Sequence, residues 1–459
     1  MTENKGTPET SKNKMSRTLT NRHVQVMAIA GTIGTGLFLG SGRSISLTGP
    51  SIVLVYMITG AFMYLMMRAV GELLYYDPDQ HTFLNFITKY LGKGWGYFSV
   101  WSYWLSVVFI GMADLTAVAQ YVKFWFPNWQ GWLIQLVFLV ILGSVNLIAV
   151  RIFGEVEFWF AMIKIVAILA MIATGVFMVL TGFETPHGTA SLGNIFDGFS
   201  LFPNGFGNFV LAFQMVFFGY LMMEFIGVTT SETANPRQVL PKAVKELPLR
   251  IVFFYGAVLL AIMAIIPWRQ LSTSGSPFVV VFELAGIKWA AALINFVVLT
   301  SAASALNSTL YSTGRHLYQI AHDSPNKFLK WIKADTLSRQ NVPQNAIIAS
   351  AVVIALAALI NILPGVQDAF ALITASSSGV YIAIYGLIMW AHMRYRKSED
   401  FMADGYLMPA YKILNPITTA FFAFIFIILF FQESTIYGAI GSLIWIVGFG
   451  WYSQFKFRK

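Results

Sequence analysis

The chain has 459 residues, of which 57% are hydrophobic and only 11% are charged, and its mean hydropathy is +0.65. A soluble protein could not keep so apolar a surface in water, so this composition excludes a soluble globular domain. The absence of cysteine excludes a disulfide framework, and the net charge of +9 is spread in short clusters rather than gathered into a nucleic-acid-binding patch. We therefore expect an all-α, polytopic membrane protein whose basic residues lie in loops.

The chain begins with a polar segment. Residues 1–18 are predicted to form a disordered cytoplasmic tail, because they are polar and include several lysines. The first apolar run comes after this tail and is not followed by a small-residue cleavage pattern. No cleavable signal peptide is therefore expected.

Long apolar runs follow the tail. A helix needs roughly 20 apolar residues to cross the hydrocarbon core of a bilayer. On that length the sequence predicts about twelve transmembrane spans, at residues 23–47, 51–74, 96–122, 131–150, 157–181, 206–230, 250–267, 289–316, 345–363, 368–391, 411–431 and 435–455. An even number of spans places both termini on the same side of the membrane.

The distribution of basic residues predicts which side that is. With cytoplasmic termini, 25 of the 30 Lys and Arg residues lie in cytoplasmic segments, four lie outside, and Lys164 lies within a span. The loop at 182–205, predicted to be external, contains no Lys or Arg. Because cytoplasmic loops are enriched in positive charge, both termini are expected to be cytoplasmic.

The first span contains a glycine-rich stretch, GTIGTG, at residues 31–36. Small residues in a membrane helix often allow close packing against a neighbouring helix. Alternatively, the helix is broken here, and the N–H groups at the start of its second half form a site for a carboxylate. The sequence leaves both interpretations open.

Three charged side chains stand out within apolar spans: Asp114 in span 3, Lys164 in span 5 and Glu224 in span 6. Charged groups at such depth are unfavourable in a bilayer and are commonly functional. In the structural alternative, Lys164 extends to the cytoplasmic surface, and Glu224 has no role beyond a hydrogen bond to a neighbouring helix. The functional alternative is that Lys164 gains and loses a proton.

Small polar residues form a stripe on span 8, at residues 300–308, and a weaker one on span 10, at 374–379. Their spacing of three or four places them on one helix face. Helix packing and a hydroxyl-lined wall of a binding site are both compatible with this pattern.

Several stretches of the chain resemble one family of membrane proteins. They lie at residues 19–23, 31–38, 46–50, 68–73, 153–164 and 231–236. On these stretches the chain is similar to the amino acid–polyamine–organocation superfamily and, within it, to the bacterial amino acid transporter family. Four further stretches, at 17–21, 111–114, 124–127 and 294–304, resemble permeases of D-serine, D-alanine and glycine.

The resemblance implies two inverted five-helix repeats of the LeuT type, at residues 19–181 and 206–392. Two appended helices and a short cytoplasmic C-terminus would occupy residues 410–459. Spans 1 and 6 would both be interrupted at mid-membrane. The implied location is the bacterial cytoplasmic (inner) membrane, and the sequence leaves open whether the protein is a monomer or a homodimer.

The resemblance also implies proton-coupled symport of small neutral amino acids such as D-alanine, D-serine, glycine or L-alanine. The proton would be the coupling ion, with no cofactor, no metal and no nucleic acid as partner. The implied substrate-binding residues are Ile33, Gly34, Thr35, Gly36, Met112, Phe218, Tyr220, Met222 and Ser301. The implied proton-coupling residues are Lys164, Ser304, Asp114 and Glu224.

Within the implied site, the backbone of Gly34, Thr35 and Gly36 would hold the substrate carboxylate. Tyr220 would cover the site from outside. Met222 departs from the family pattern, because it stands where a glycine is usual at the break in span 6. A thioether there would favour very small substrates.

Other function classes fit the sequence less well. The six His residues lie at span ends or in loops, and no nucleophile–base pattern predicts an enzyme. No pore-loop repeat or charged ring indicates a channel, and the tail is too short for the added soluble domain of a transporter-derived sensor. An amino acid exchanger without proton coupling, or a permease for a different neutral amino acid, remains the alternative.

Overall fold

The structure is a computed structural model that describes residues 34–458, apart from gaps at 79, 81, 149, 197–199, 225–234, 272–275, 286–287, 324–325, 339–341 and 364–367. For residues 148, 150–158, 247–250 and 288 it describes the backbone alone. The predictions for the N-terminal tail, for Ile33 and for most of the loop at 231–236 therefore lie outside the described residues.

The first half of the chain is helical apart from one small hairpin. Its helices are α1 (Thr35–Phe38), α2 (Gly40–Thr48), α3 (Ile52–Tyr76), α4 (Leu84–Leu91), α5 (Lys93–Val122), α6 (Gly131–Ile148), α7 (Val150–Thr181), α8 (Gly193–Phe196) and α9 (Gly205–Phe218). Strands β1 (Glu184–Thr185) and β2 (Gly188–Thr189) pair antiparallel in the segment between α7 and α8.

The second half contains only helices and their connections among the described residues. These helices are α10 (Pro236–Ile265), α11 (Pro277–Leu284), α12 (Lys288–Asp323), α13 (Lys327–Trp331), α14 (Gln344–Ile354), α15 (Leu356–Ile360), α16 (Ala369–Tyr395), α17 (Tyr411–Ile428), α18 (Glu433–Ile444) and α19 (Gly450–Lys456). A π-helical turn, Trp445–Phe449, joins the last two.

Eight helical segments of the described chain are long and apolar enough to cross a membrane. They are Gly40–Tyr76, Lys93–Val122, Trp159–Thr181, Pro236–Ile265, Trp289–Asp323, Ala369–Tyr395, Tyr411–Phe431 and Glu433–Lys456. Three shorter apolar helices, Gly131–Leu147, Gly205–Phe218 and Gln344–Ile360, coincide with predicted spans 4, 6 and 9. The prediction of a helical polytopic membrane protein is confirmed, whereas the count of twelve spans and the inverted repeat stay predictions.

Helices α5 and α16 lie at the centre of the molecule. In the most apolar segment of α5, 78% of the residues are buried inside the protein, and in that of α16 the share is 83%. The corresponding share for Glu433–Lys456 is 28%. Large apolar side chains are exposed elsewhere, such as Leu180, Trp289 and Phe431. An exposed apolar surface of this kind suits contact with lipid.

Helix α12 packs against α5 in antiparallel orientation. Near the end of α5, the Tyr121 carbonyl accepts a hydrogen bond of 2.9 Å from Asn295, which lies near the start of α12. Near the start of α5, the Val100 carbonyl lies 3.1 Å from the His316 ring, far along α12. These two contacts fix the register between the two helices.

Candidate functional site

The candidate site lies at the start of α1, the first helix of the described residues. Gly34 has an extended backbone (φ −133°, ψ −158°), and α1 begins at the next residue, Thr35. The Gly34 carbonyl accepts hydrogen bonds from the N–H groups of Leu37 and Phe38, at 3.2 and 3.3 Å. Because a first helical turn has no earlier carbonyl to bond, the N–H groups of Thr35 and Gly36 suit an anion.

Three of the predicted site residues come together at this point. The Thr35 hydroxyl donates a hydrogen bond of 2.9 Å to Oδ1 of Asp114 on α5, and both residues are buried. Lys164 on α7 is also buried and lies close enough to Asp114 to interact with it electrostatically. A hydroxyl and a carboxylate from two spans are therefore hydrogen-bonded beside the start of α1, and a buried lysine of a third span lies within electrostatic range of the carboxylate.

The end of α9 closes another side of the site. Helix α9 ends at Phe218, and a Cβ atom added to Gly36 would lie only 2.9 Å from the Cα of Gly219. A side chain at position 36 would therefore clash with backbone, so the absence of a side chain there allows α1 and α9 to touch. Spans 1 and 6 thus meet where the helical part of one begins and the helix of the other ends.

Met222 lies in the turn that follows α9. Its φ angle is +65°, in the left-handed region that glycine adopts without steric penalty and other residues rarely adopt. This is the position at which the resemblance predicted a glycine. The backbone therefore keeps the conformation that suits glycine, although the side chain is methionine.

The polar stripe of α12 lies level with Asp114. The two contacts between the helices give the same position opposite Asp114. Counting back seven residues from Tyr121 to Asp114 on α5 corresponds to counting forward seven from Asn295 on α12, which gives position 302. Counting forward fourteen residues from Val100 to Asp114 corresponds to counting back fourteen from His316, which also gives position 302. Since both helices rise by about 1.5 Å per residue, the α12 segment around position 302 faces the level of Asp114.

Ser301 and Ser304 flank that position, and both are buried. The predicted residue Met112 is also buried, one helical step from Asp114 on α5. Helix α1 packs against α5, α9 and α12, so the elements that carry most of the predicted substrate-binding residues are in contact.

Tyr220 packs between α3 and α10, and the expectation that it covers the site stays a prediction. Its hydroxyl donates a hydrogen bond of 2.9 Å to the carbonyl of Tyr56 on α3, and its ring lies 6.3 Å from that of Tyr255 on α10. The side chain is fully buried between these two helices. In this arrangement Tyr220 joins span 6 to spans 2 and 7.

Glu224 belongs to a separate polar cluster. One of its carboxylate oxygens accepts a hydrogen bond of 2.7 Å from the Tyr385 hydroxyl on α16, and Tyr103 and Tyr381 are further neighbours. No described contact joins this cluster to Thr35 or Asp114. The tyrosines were not predicted, because a tyrosine within an apolar span gives no sequence signal that it faces a carboxylate.

A further buried ionic group, which we name the Glu72 cluster, lies at the other end of α16. It comprises Glu72 on α3, His392 and Arg396 at the end of α16, Asn415 on α17 and the backbone of Met408. Arg396 contacts both carboxylate oxygens of Glu72, His392 Nε2 lies 3.1 Å from one of them, and the Met408 N–H donates to that same oxygen at 2.6 Å. The Asn415 amide donates to His392 Nδ1 at 3.0 Å, which leaves the ring proton on the nitrogen that faces Glu72.

Comparison with known proteins decides what kind of protein carries this site. The family model described as amino acid permease matches residues 23–456. The chain belongs to the amino acid permease family. The family consists of transporters, so the prediction of a membrane permease rather than an enzyme is confirmed.

Curated relatives match this permease over almost its whole length. It is 48% identical to the serine permease SerP1 of Lactococcus lactis subsp. cremoris, over 96% of this chain and 97% of that protein. It is 47% identical to the DL-alanine permease SerP2 of the same organism, over 99% of both chains. It is 40% identical to the D-serine/D-alanine/glycine transporter of Escherichia coli K12, over 95% of this chain and 93% of that protein.

The described part of the permease holds no group of three or more His, Asp or Glu side chains arranged to bind a metal ion. The ionic side chains beside α1 are instead Asp114 and Lys164. Their chemistry is the exchange of protons and the electrostatic orientation of a charged ligand.

Proposed function

We propose that this permease takes up small neutral amino acids, such as glycine, D-alanine, D-serine or L-alanine, by symport with protons. The names of the curated relatives support this substrate class, since they are permeases of serine, alanine and glycine. The observation that carries the proton coupling is the meeting of Asp114, Lys164 and Thr35 beside the start of α1.

The substrate carboxylate binds to the N–H groups of Thr35 and Gly36. These groups lie at the start of a helix, where partial positive charge attracts an anion. The substrate ammonium binds to carbonyl oxygens near Ile33 and at the end of α9 around Phe218, because the backbone at Gly219 lies against Gly36. Met112 and Ser301 line the pocket, and Met222 limits its length.

Lys164 gains and loses the coupled proton, with Asp114 beside it and Ser304 at the same level. Charged groups inside a membrane protein cost free energy and are commonly retained for a function, and exchange of a proton is a function that this pair suits. Glu224 is a second proton-coupling candidate, held by Tyr385. Transport then follows as spans 1, 2, 6 and 7 move against spans 3, 4, 8 and 9, exposing the site to each side in turn.

The protein operates in the cytoplasmic membrane of a bacterium with both termini inside. The bacterial relatives support the location, and the distribution of Lys and Arg supports the orientation. The proton gradient across that membrane would supply the energy for uptake.

Uptake into liposomes tests the proposal. With acid outside, we expect concentrative uptake of labelled glycine, D-alanine, D-serine or L-alanine, abolished by a protonophore. Lys164→Ala is expected to lose accumulation, whereas the matched control Lys89→Ala, a lysine on the protein surface, is expected to retain it. Uptake that requires preloaded amino acid and ignores the protonophore would make the protein an exchanger and remove Lys164 from its role.

A further inference from the structure

The hydrogen bond between Thr35 and Asp114 has a defined direction. An ionised carboxylate only accepts, so the single hydroxyl proton of Thr35 is committed to Asp114 Oδ1 at 2.9 Å. The other oxygen, Oδ2, is buried and has no hydrogen-bond partner among the described atoms. A buried carboxylate with one oxygen unbonded can accept a proton with little rearrangement of its surroundings.

A bound substrate would change this arrangement. Its carboxylate on the N–H groups of Thr35 and Gly36 would lie beside the Thr35 hydroxyl and close to Asp114. Two carboxylates in one buried site repel each other strongly, and Thr35 has only one proton to donate. The substrate carboxylate and an ionised Asp114 therefore compete for the same hydroxyl.

We propose that Asp114 takes up a proton when the substrate carboxylate binds, and that this reverses the Thr35–Asp114 hydrogen bond. The proton comes from water on the outer side and forms an O–H bond on Oδ2 of Asp114, and rotation of the carboxyl group turns this O–H toward Thr35. That O–H then donates to Thr35 Oγ1, and the Thr35 hydroxyl donates to the substrate carboxylate. No bond to Thr35 breaks, and Asp114 returns the proton to cytoplasmic water when the substrate leaves.

This inference rests on the proposed function and deepens it, because it makes Asp114 a positioning residue that acts on the substrate through Thr35. It also defines the substrate class chemically as compounds with a free carboxylate. Since linkage is reciprocal, a proton that strengthens substrate binding is itself bound more strongly when substrate is present.

The other titratable groups near Asp114 are consistent with this role. Lys164 approaches from α7 and Tyr121 lies two turns along α5, and both interact with Asp114 electrostatically. Helix α16 begins beyond Asp368, which is ion-paired with Arg43 of α2. Helices α6, α14 and α15 contain no Asp, Glu, Lys, Arg or His, and the charged residues of α12 whose side chains are described begin at position 315. Lys164 exchanges the coupled proton with Asp114, on which the proton resides in the loaded state.

The test measures the dissociation constants of glycine and D-alanine for the purified full-length permease over a range of pH. For the native protein we expect binding to weaken about tenfold per pH unit above the pH at which Asp114 loses its proton, the slope of one linked proton. Asp114→Asn should bind with no pH dependence over that range, because its amide donates to Thr35 permanently. Thr35→Ser should retain the native slope, and Thr35→Val should bind at least about tenfold more weakly at low pH, since it lacks the hydroxyl.

Thr116→Val is the matched control. Thr116 is also a buried threonine, but its hydroxyl bonds to the Met112 carbonyl of its own helix and accepts from Asn361. It should keep the native affinity and slope.

If Asp114→Asn retains the native slope, or if Thr35→Val binds as Thr35→Ser does, the inference is overturned and the proposed function stands. The comparison of Thr35→Val with Thr35→Ser tests the inference even if Asp114→Asn does not fold. If the folded native protein binds none of the four amino acids, the proposed function itself is wrong.

Discussion

The two buried carboxylates beside Thr35 and in the Glu72 cluster differ in how completely they are bonded. Both oxygens of Glu72 are in ionic contact with Arg396, and Oε2 also accepts from a backbone N–H and faces His392, whereas Oε1 has no hydrogen bond beyond its ionic contact. Asp114 has one hydrogen bond from Thr35, and its second oxygen has none among the described atoms. A carboxylate that is ion-paired with a guanidinium and held by further donors keeps helices together in one arrangement, whereas a carboxylate with a single hydrogen bond remains able to change its protonation and its partners.

The largest effect is expected from breaking the Glu72 cluster. Glu72→Ala leaves Arg396 buried without its carboxylate, and removal of one partner of a buried ion pair destabilises a protein by about 3–5 kcal/mol. We expect a large fall in the midpoint of thermal unfolding in detergent, as followed by size-exclusion chromatography. Asp114→Asn should lower it far less, because the amide still bonds to Thr35. Equal losses of stability in the two variants would remove the distinction between the two carboxylates.

Of these two carboxylates, only Asp114 stood out in the sequence as a charge within an apolar span, whereas Glu72 lay unremarked in the family-like stretch at 68–73. Glu72 and Arg396 are 324 positions apart, and Thr35 and Asp114 are 79 apart. No local pattern encodes either pairing, because each depends on how distant helices pack. The glycine-rich stretch and the charges of spans 3 and 5 indicated candidate site residues, and the fold was needed to bring them together.

In the turn after α9, too, the sequence predicted one feature, and another could be known only from the fold. The sequence predicted a break in span 6 near Met222, and the left-handed backbone there accounts for the glycine expected at that position. The direction of the Tyr220 side chain could not be predicted. It depends on the path of the turn from 219 to 224 and on the space between α3 and α10, which the pattern of apolar residues does not report.

A smaller effect is expected at Met222, where the central site tolerates backbone strain. The left-handed conformation costs a residue with a Cβ atom about 1 kcal/mol or more relative to glycine. Met222 also packs against the core, so Met222→Gly alone would mix lost packing with relieved strain. Met222→Ala loses the same packing and keeps the Cβ atom, so we expect Met222→Gly to be about 1 kcal/mol more stable than Met222→Ala in thermal unfolding. An alanine variant as stable as the glycine variant would contradict the assignment of strain.

The glycine variant also tests substrate size. If the Met222 thioether limits the pocket, Met222→Gly should accept longer neutral amino acids as competitors of glycine uptake. An unchanged competition series would show that Met222 does not set the substrate range.

The smallest effect is expected from an exposed pair that serves as a contrast to both buried groups. Lys89 on α4 lies 2.9 Å from Asp400 in the loop after α16, and its hydrogen bond holds the pKa of Asp400 below the ordinary value of 3.8. A lowered carboxylate pKa adds stability above the ordinary pKa, and that contribution is lost as the pH falls through the lowered value. Because both side chains are more than a third exposed, solvent screening limits the contribution to about 0.2–1 kcal/mol.

Asp400→Asn should therefore lower the unfolding midpoint slightly near neutral pH and should match the native protein once the pH is below the lowered pKa of Asp400. A loss comparable with that of Glu72→Ala would mean that exposure does not distinguish these ion pairs.

The central claim is that the site beside Thr35 carries a proton together with the substrate. The most direct measurement places the permease in liposomes that contain a pH-sensitive dye, with no pH gradient imposed and the membrane potential clamped. Addition of D-alanine or glycine outside should acidify the interior in the native protein and leave it unchanged in Asp114→Asn. Uptake of labelled amino acid without any acidification in the native protein would contradict the account.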